Sequence, residues 1–549
     1  MDATRREAAL SGLLDRVVAS TVVQGTPAEG TWPGEASSDP VWDAALEALR
    51  HTFASRWDSA RTLASALPAP DADDDAARWL HRGVVVWAAA GDPAPTSDLA
   101  LVPVLDDLPD VTTPLGRFAA HLLVEGVLAH ARLDLAAALV EALGDGLWTW
   151  LVLDGRAHPF GAMVQLCRVR VLAFRGELAA ADAVLTTVPP APPGAIAALL
   201  AATACLVRGN QADPADVRRL VAVVDRNAPV AVDHLTAGSQ MLASFGLIAL
   251  GDVIEAARRV LLAGGDAGLT HLDVVDRALG LEMLVVLALA ADDLDAAWAW
   301  ADQAVPLLSS PIADSTVARL LSRLALAEDR VDDAVAWGER AVARARQVDR
   351  VIEYAEGEIV LNRARILQRG EGGLVAAVRA LEAMVASAEE RGHRAARRSA
   401  SRELRPIGVR LRPLAGSGWA GLSTREAEVA RLVAEGSSNR EIATRLHVSE
   451  HTVRAHVSRV LAAFGVATRA ALPAVVGVAP GEAGSRPALT PRQAEVAQLV
   501  ADGLSNRTIS DRLGLSPRTV EKHVGDILMR WDLAGRTAIA REVSARRAG

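Results

Sequence analysis

The 549-residue sequence predicts an all-α protein: a long run of helical hairpins followed by a duplicated module of short helices. Three observations predict it. From residue 40 to 400 alanine and leucine dominate, β-branched runs are short, and Gly or Pro-Gly clusters recur at intervals suited to hairpins. Within that stretch Leu289–Ala304 returns as Leu326–Ala341, a shift of 37 residues. Leu422–Leu472 aligns without a gap on Leu489–Ile539, an offset of 67 residues at which 25 of 51 positions are identical.

Bulk properties narrow the function classes. With 51% apolar residues the chain can bury a large core, which excludes wholesale disorder. Cys167 and Cys205 form no Cys-x-x-Cys pair, so neither a disulfide framework nor a zinc cage is expected, and a reducing cytoplasm is the expected compartment. Arg5, Arg6, Asp15 and Arg16 are scattered through the first twenty residues, unlike a signal peptide. The longest apolar run, Ala195–Val207, is shorter than the ~18–20 residues that span a bilayer, so a soluble chain without a membrane partner is expected.

Charge is distributed unevenly. Residues 416–549 carry 18 Lys and Arg against 13 Asp and Glu, leaving 40 against 54 for residues 1–415. A basic end on an acidic body points to a polyanionic partner for the end. Lys522 is the only lysine, which with the alanine excess reads as a GC-rich coding sequence, not a functional signal.

In the body, residues 1–415, the explicit repeat Leu-Ala-Ala-Asp-Asp-Leu-Asp-Ala-Ala-Trp has weaker copies of its turn at Arg175-Gly-Glu-Leu, Gly251-Asp-Val-Ile and Arg369-Gly-Glu-Gly. Small residues there let two antiparallel helices approach closely. Hairpins at a period in the mid-thirties resemble a tetratricopeptide array, which implies a concave surface receiving a partner or effector; a plain spacer is the alternative. Gln24–Pro40 and Pro68–Asp75 read as solvated loops. No Gly-x-x-x-x-Gly-Lys-Ser/Thr, His-Glu-x-x-His or Gly-x-Ser-x-Gly motif occurs, so no enzyme, cofactor or metal is expected. Asp292-Asp293 and Asp332-Asp333 read as solvated charge in turns between helices.

Each copy of the duplicated module reads the same way from its N-terminus. Ser423-Thr-Arg-Glu426 and Thr490-Pro-Arg-Gln493 are capping boxes opening a first helix, the second with proline at its first position. Val429, Leu432 and Val433, matched by Val496, Leu499 and Val500, form its apolar face, and Gly436 or Gly503 stops it. Ser438 and Ser505 then start a short second helix. A tight turn at His447-Val448 or Gly514-Leu515 leads to Ser449 or Ser516, which cap a third helix.

That third helix carries the function. At about 100° per residue Val453, Val457, Val460, Leu461 and Phe464 fall in one stripe, with His451, Arg454, Ala455, Ser458 and Ala462 opposite. A short helix with a buried stripe and a polar, partly basic N-terminal half suits a major groove, its first turns reaching base edges and its N-terminal amides meeting phosphate.

The run Leu422-Ser-Thr-Arg-Glu-x-Glu-Val, Gly436-Ser-Ser-Asn-Arg-Glu-Ile-Ala and Val448-Ser-x-x-Thr-Val-Arg-x-His resembles the LuxR-type (NarL/FixJ-like) helix-turn-helix of bacterial transcriptional regulators. Its second copy, ending Leu515-Ser-Pro-Arg-Thr-Val-Glu-Lys-His, does so as well. The resemblance implies two four-helix domains, residues 416–477 and 487–549 about a flexible linker at 478–486, with double-stranded DNA as partner. It implies that Arg454 and Lys522 read bases, and that Thr452, His456, Thr519 and His523 contact phosphate or brace the helix. Arg440 and Arg507 would reach the backbone. The caps Ser449 and Ser516 and the outward His451, Ala455, Ser458, Arg518 and Glu521 complete the expected interface. Asn439 and Asn506 read as turn formers, and only one of His447, His451 and His456 recurs in the second copy, which argues against a metal site. The approach from Arg391 to Leu422 also resembles large multidomain regulators of that type. Those carry an ATPase domain whose motifs are absent here, so nucleotide binding is not transferred.

The copies agree in scaffold and differ on the outward face. His451, Arg454, Ala455 and Ser458 stand where the second copy has Arg518, Glu521, Lys522 and Gly525, so different half-sites are expected. The link Gly477–Ala488 reaches at most ~40 Å, close to the ~34 Å between successive major-groove faces, so one chain can reach adjacent half-sites. Pro473 is expected to interrupt the fourth helix of the first copy, whereas Thr537–Arg547 reads as unbroken. A homodimer through the second copy and an intramolecular pair both stay open. The arginines from Arg391 to Arg412 read as the last helix of the body and its link, with an auxiliary phosphate contact as the sharper alternative. The expected function is transcriptional regulation, with the body receiving a protein or small-molecule input or meeting RNA polymerase. The alternative is a scaffold whose modules bind protein in place of DNA.

Overall fold

A computed structural model describes residues 40–91, 107–144, 152–411, 422–476 and 489–543, apart from isolated positions within these ranges, and a few residues around Leu10 and Leu14. The expected Gln24–Pro40 loop apart from its last residue, the whole Gly477–Ala488 link and Ser423 lie outside the described residues. The chain forms two compact units, Met1–Gly408 and Val409–Gly549.

The first unit opens with α1 (Pro40–Phe53), α2 (Trp57–Ser65) and α3 (Asp75–Ala88). Hairpins follow: α4 (Pro114–Ala129) with α5 (Leu133–Leu143), α6 (Gly161–Phe174) with α7 (Leu178–Leu185), and α8 (Ala195–Asn210) with α9 (Pro214–Asn227). Then come α10 (His234–Leu250) with α11 (Val253–Gly264), α12 (Val274–Ala290) with α13 (Leu294–Ala304), and α14 (Asp314–Ala327) with α15 (Val331–Gln347). α16 (Val351–Leu367), α17 (Glu371–Arg391) and α18 (Arg394–Leu404) end the unit. Among the described residues the only strands are a two-residue antiparallel pair, Val152–Leu153 with Arg156–Ala157.

The hairpins share one local cause. Each turn places one residue at left-handed φ: Ala131 (54°), Gly176 (74°), Ala212 (61°), Gly251 (87°), Asp292 (55°) and Asp329 (57°). A cap follows directly in several of them, where Asp213, Asp252 and Asp293 accept from the backbone N–H three residues on. Asp293 is therefore a helix cap, while Asp332 and Asp333 lie in the first turn of α15. The Pro68–Asp75 loop likewise ends in a cap, Asp74, which also pairs with Arg6. The first helix of each hairpin packs on the first helix of the next, α8 on α10, α12 on α14 and α14 on α16 among them. This is the tetratricopeptide-like arrangement. Gly209 and Gly246 permit the closest of these approaches, since a Cβ on either would collide with the other helix's backbone. The turn expected at Arg369-Gly370 falls on positions outside the described residues; left-handed φ returns at Gly392, between α17 and α18.

The last helix turns back. α18 packs on α8 and α10, and the buried His393 places Nε2 2.9 Å from Asn210 Oδ1. Arg398 donates to Ala249 O, Arg391 to Arg175 O at 2.9 Å, and Arg397 to Glu389 at 2.6 Å. Three members of the arginine cluster are thereby spent inside the unit. The stacked first helices line a cavity of about 390 Å³. Leu242 and Met283 contribute apolar wall, and the buried pair Glu282–Arg319 (Nε to Oε1, 2.7 Å) contributes polar wall.

In the second unit the duplicated module yields α19 (Thr424–Ala434), α20 (Asn439–Leu446), α21 (Glu450–Ala463) and α22 (Leu472–Val476), then α23 (Pro491–Ala501), α24 (Asn506–Leu513) and α25 (Pro517–Arg530). Val429, Val433, Ile442, Val453 and Val460 are fully buried in the first copy, as are Val496, Val500, Ile509, Val520 and Ile527 in the second. Leu461 and Phe464 are half-buried and pack on the first core. Pro473 does not interrupt the helix it was expected to break. After a 3₁₀ turn at Arg469–Ala471 it is the second residue of α22, where a missing N–H loses no helical bond. Only scattered positions of Thr537–Arg547 are described.

Candidate nucleic-acid interface

The second helix of each module is fixed at both ends. Ser438 and Glu441 form a reciprocal capping box on α20, and Ser505 caps α24. At the other end His447 (φ 52°) and Gly514 (φ 63°) adopt the left-handed conformation. That residue sets the sharp angle into the third helix. The turn is also tied from behind: Arg425 of α19 donates to Leu446 O, and Arg492 of α23 donates to Leu513 O at 2.6 Å.

Ser449 then caps α21, accepting from Thr452 N at 3.1 Å, with the two hydroxyls 2.8 Å apart. Ser516 and Thr519 repeat the arrangement at 3.1 and 2.7 Å. Thr452 and Thr519 are thus cap partners in this structure. Beyond the cap the side chains divide as the periodicity requires. His451, Arg454, Ala455 and Ser458 are exposed on α21, and Arg518, Glu521 and Lys522 on α25. Arg440 and Arg507 are exposed on the preceding helices. The first turn of each third helix also leaves backbone N–H groups without intrahelical partners, as any helix N-terminus does.

His456 and His523 are only partly exposed. His456 is half-buried, its Nδ1 2.8 Å from an Arg459 guanidinium nitrogen and 3.8 Å from Glu426 Oε1. Burial and the Arg459 charge hold its pKa below the usual imidazole value. His523 buries an Nδ1 that has no hydrogen-bond partner among the described residues. Glu426 accepts from Arg459 Nε at 2.5 Å, joining the first helix to the third; the capping box expected of it involves Ser423, which lies outside the described residues. Thr490 and Gln493 do form the expected reciprocal box.

Sequence reasoning missed the arginines that hold this frame. Arg469 donates to Asn439 Oδ1 and to Ser437 O; Arg536 donates to Asn506 Oδ1 and to Leu504 O. Both asparagines are occupied by these contacts and stand at the first position of α20 and α24, one residue inside the helix, where the sequence had read turn formers. The signal was present: Arg425/Arg492, Arg469/Arg536 and Asn439/Asn506 are all identical between the copies.

The modules also touch each other. Thr468 Oγ1 donates to Gly503 O at 3.1 Å, and Ala470 belongs to the apolar core of the second module. In the first unit, His121, Glu125 and Cys167 bring ligand-type atoms within 4.8 Å of one another. Arg170 donates to both Glu125 and Cys167, so a guanidinium already supplies the cation there. Among the described residues no helix is long and apolar enough to cross a membrane.

Comparison with known proteins agrees with this geometry. Residues 420–476 and 487–543 each match the family described as bacterial regulatory proteins, luxR family. The chain is 48% identical over 65 residues to an HTH-type transcriptional regulator of Mycobacterium bovis, covering 12% of this chain and 7% of that protein. It is 47% identical over 49 residues to the transcriptional regulatory protein DegU of Brevibacillus brevis, covering 9% of this chain and 21% of that one. The matched segments therefore span a small fraction of the relatives' lengths. A solved Rap protein complexed with competence and sporulation factor shares 12% identity at a TM-score of 0.36, covering 67% of this chain and 97% of that one. The chain carries two LuxR-family helix-turn-helix domains in tandem.

Proposed function

We propose that this chain is a sequence-specific, DNA-binding transcriptional regulator in which both helix-turn-helix domains engage adjacent major-groove half-sites. The observation that supports it is the duplicated frame. Ser449 and Ser516 cap two third helices whose outward faces present Arg454 in one domain and Arg518 and Lys522 in the other. Arginine in such a position can pair bidentately with guanine, and the flanking Arg440 and Arg507 suit phosphate.

The helical repeats receive the input, in the form of a protein or small molecule. The interior cavity of about 390 Å³, with apolar and ion-paired walls, supports that reading. No catalytic role is proposed for it.

Genome-wide footprints of the wild type and of an Arg454→Ala/Lys522→Ala double variant test the proposal. Discrete wild-type sites that vanish in the variant support it. Identical footprints for both, or none in either, overturn it in favour of a protein-binding scaffold.

A further inference from the structure

The two helix-turn-helix domains meet through a defined contact. The 468–471 turn of the first domain seats against the end of α23 in the second. Thr468 Oγ1 donates to Gly503 O at 3.1 Å. Gly503 holds φ at +83°, and a Cβ built on it would lie 2.9 Å from Ala471 Cβ and 3.1 Å from Thr468 Oγ1. Ala470, 6% exposed, packs with the core that includes Val496 and Val500. A hydrogen bond, a glycine-only approach and an apolar plug thus act at one corner.

The contact runs one way among the described residues. The second domain's core takes in Ala470, whereas the first domain's core contains no residue of the second. The surfaces are also not equivalent. The 67-residue offset maps Thr468 and Ala470 onto Gly535 and Thr537, and maps Gly503 onto Gly436. A two-fold pair presents the same patch from both members, whereas a head-to-tail contact joins two different patches. Gly535 lacks the hydroxyl that Thr468 uses, so the second domain does not offer the same donor.

We infer that the pair reads its two half-sites in direct, head-to-tail order at one fixed spacing, with the 468–471/Gly503 contact setting that spacing. The inference rests on the DNA-binding reading above and adds order and orientation to it. Operators of symmetric helix-turn-helix dimers mirror the protein's two-fold axis. A head-to-tail pair has no such axis to mirror, and its two reading faces differ in sequence.

The test selects duplexes with the full-length chain, then rebuilds the two half-sites as direct, inverted and everted repeats with varied spacers for gel shifts. The direct arrangement at a single spacer is expected to bind about tenfold or more tightly than the others, as an effective-concentration gain requires. Ala471→Glu sets a charge against Gly503 and Thr468→Val removes the donor. Each is expected to flatten the spacer profile while leaving affinity for a single half-site unchanged. If Ala471→Glu loses its helical circular dichroism, Thr468→Val carries the comparison. Inverted repeats bound as tightly as direct ones, or a wild-type profile already flat, overturn this inference alone. A chain that retards no duplex overturns the DNA-binding reading itself.

Discussion

Arg469 donates from Nη1 to Asn439 Oδ1 at 2.5 Å, pinning the turn before α22 to the start of α20. Arg536 repeats the bond to Asn506 at the same distance in the second domain. Burial lowers the pKa of both guanidiniums. These arginines are therefore expected to act as frame elements. Arg469→Ala is expected to cost about 1–3 kcal/mol, the usual range for a buried charged hydrogen bond left unmade. Urea denaturation followed at the second unit checks it, and full stability with only a weaker salt dependence of DNA binding would reassign Arg469 to the interface.

The outward residues should separate into two classes. Arg454→Ala is expected to weaken binding to its preferred duplex by about 1–3 kcal/mol and to relax discrimination at one base position. Arg440→Ala is expected to weaken all duplexes alike and to lower the slope of log K against log salt by about 1. Titrations at several salt concentrations distinguish the two, and interchangeable behaviour would refute the division.

His447 holds a left-handed conformation at φ 52° that its counterpart Gly514 adopts with no side chain in the way. His447→Gly is expected to raise stability by about 0.5–1 kcal/mol, and Gly514→His to lower it by a comparable amount. Thermal melts of the two variants against wild type decide it; a fall for both means that the His447 side chain makes contacts worth more than the backbone strain.

Acid should loosen the closure of the first unit. Burial holds His393 neutral, with a pKa lowered to about 4 beside Asn210. The unfolded chain takes up a proton near pH 6.5 and the folded chain does not, so the His393 contribution is full above that pH and is lost as pH falls toward 4. The loss amounts to about 3 kcal/mol. His121 and His234, also lowered to about 4 by burial, act in the same direction, and Asp276, raised to about 6 by burial, acts in the opposite one. The informative quantity is therefore the difference in urea midpoint between wild type and His393→Gln. It should move against the wild type between pH 6.5 and 4, and a constant difference would exclude the histidine as its source.

Much of this was legible because its causes are local. The third helix's buried and exposed faces follow from a 3.6-residue period, and Ser449, Ser438 and Thr490 cap through atoms three residues away. The hairpin turns were readable where glycine or an acidic pair marked them, at 176, 251 and 292, whereas the pair read as the later turn, Asp332-Asp333, lies in the first turn of α15 and the left-handed residue is Asp329. They were invisible at Ala131 and Ala212, where an alanine with no preference for positive φ is held there by the packed helices on either side.

By itself the sequence determined the helical class, the hairpin array, the duplicated module and the residues on the outward face of each third helix. Only the tertiary structure decided how those pieces are tied: Arg469 to Asn439, His393 to Asn210 across 183 residues, and Thr468 to Gly503. The reason is physical. A cap or an amphipathic stripe is set by neighbours along the chain, so its pattern is written in consecutive residues. A bond between distant segments depends on where packing carries both partners, and no local spacing records it.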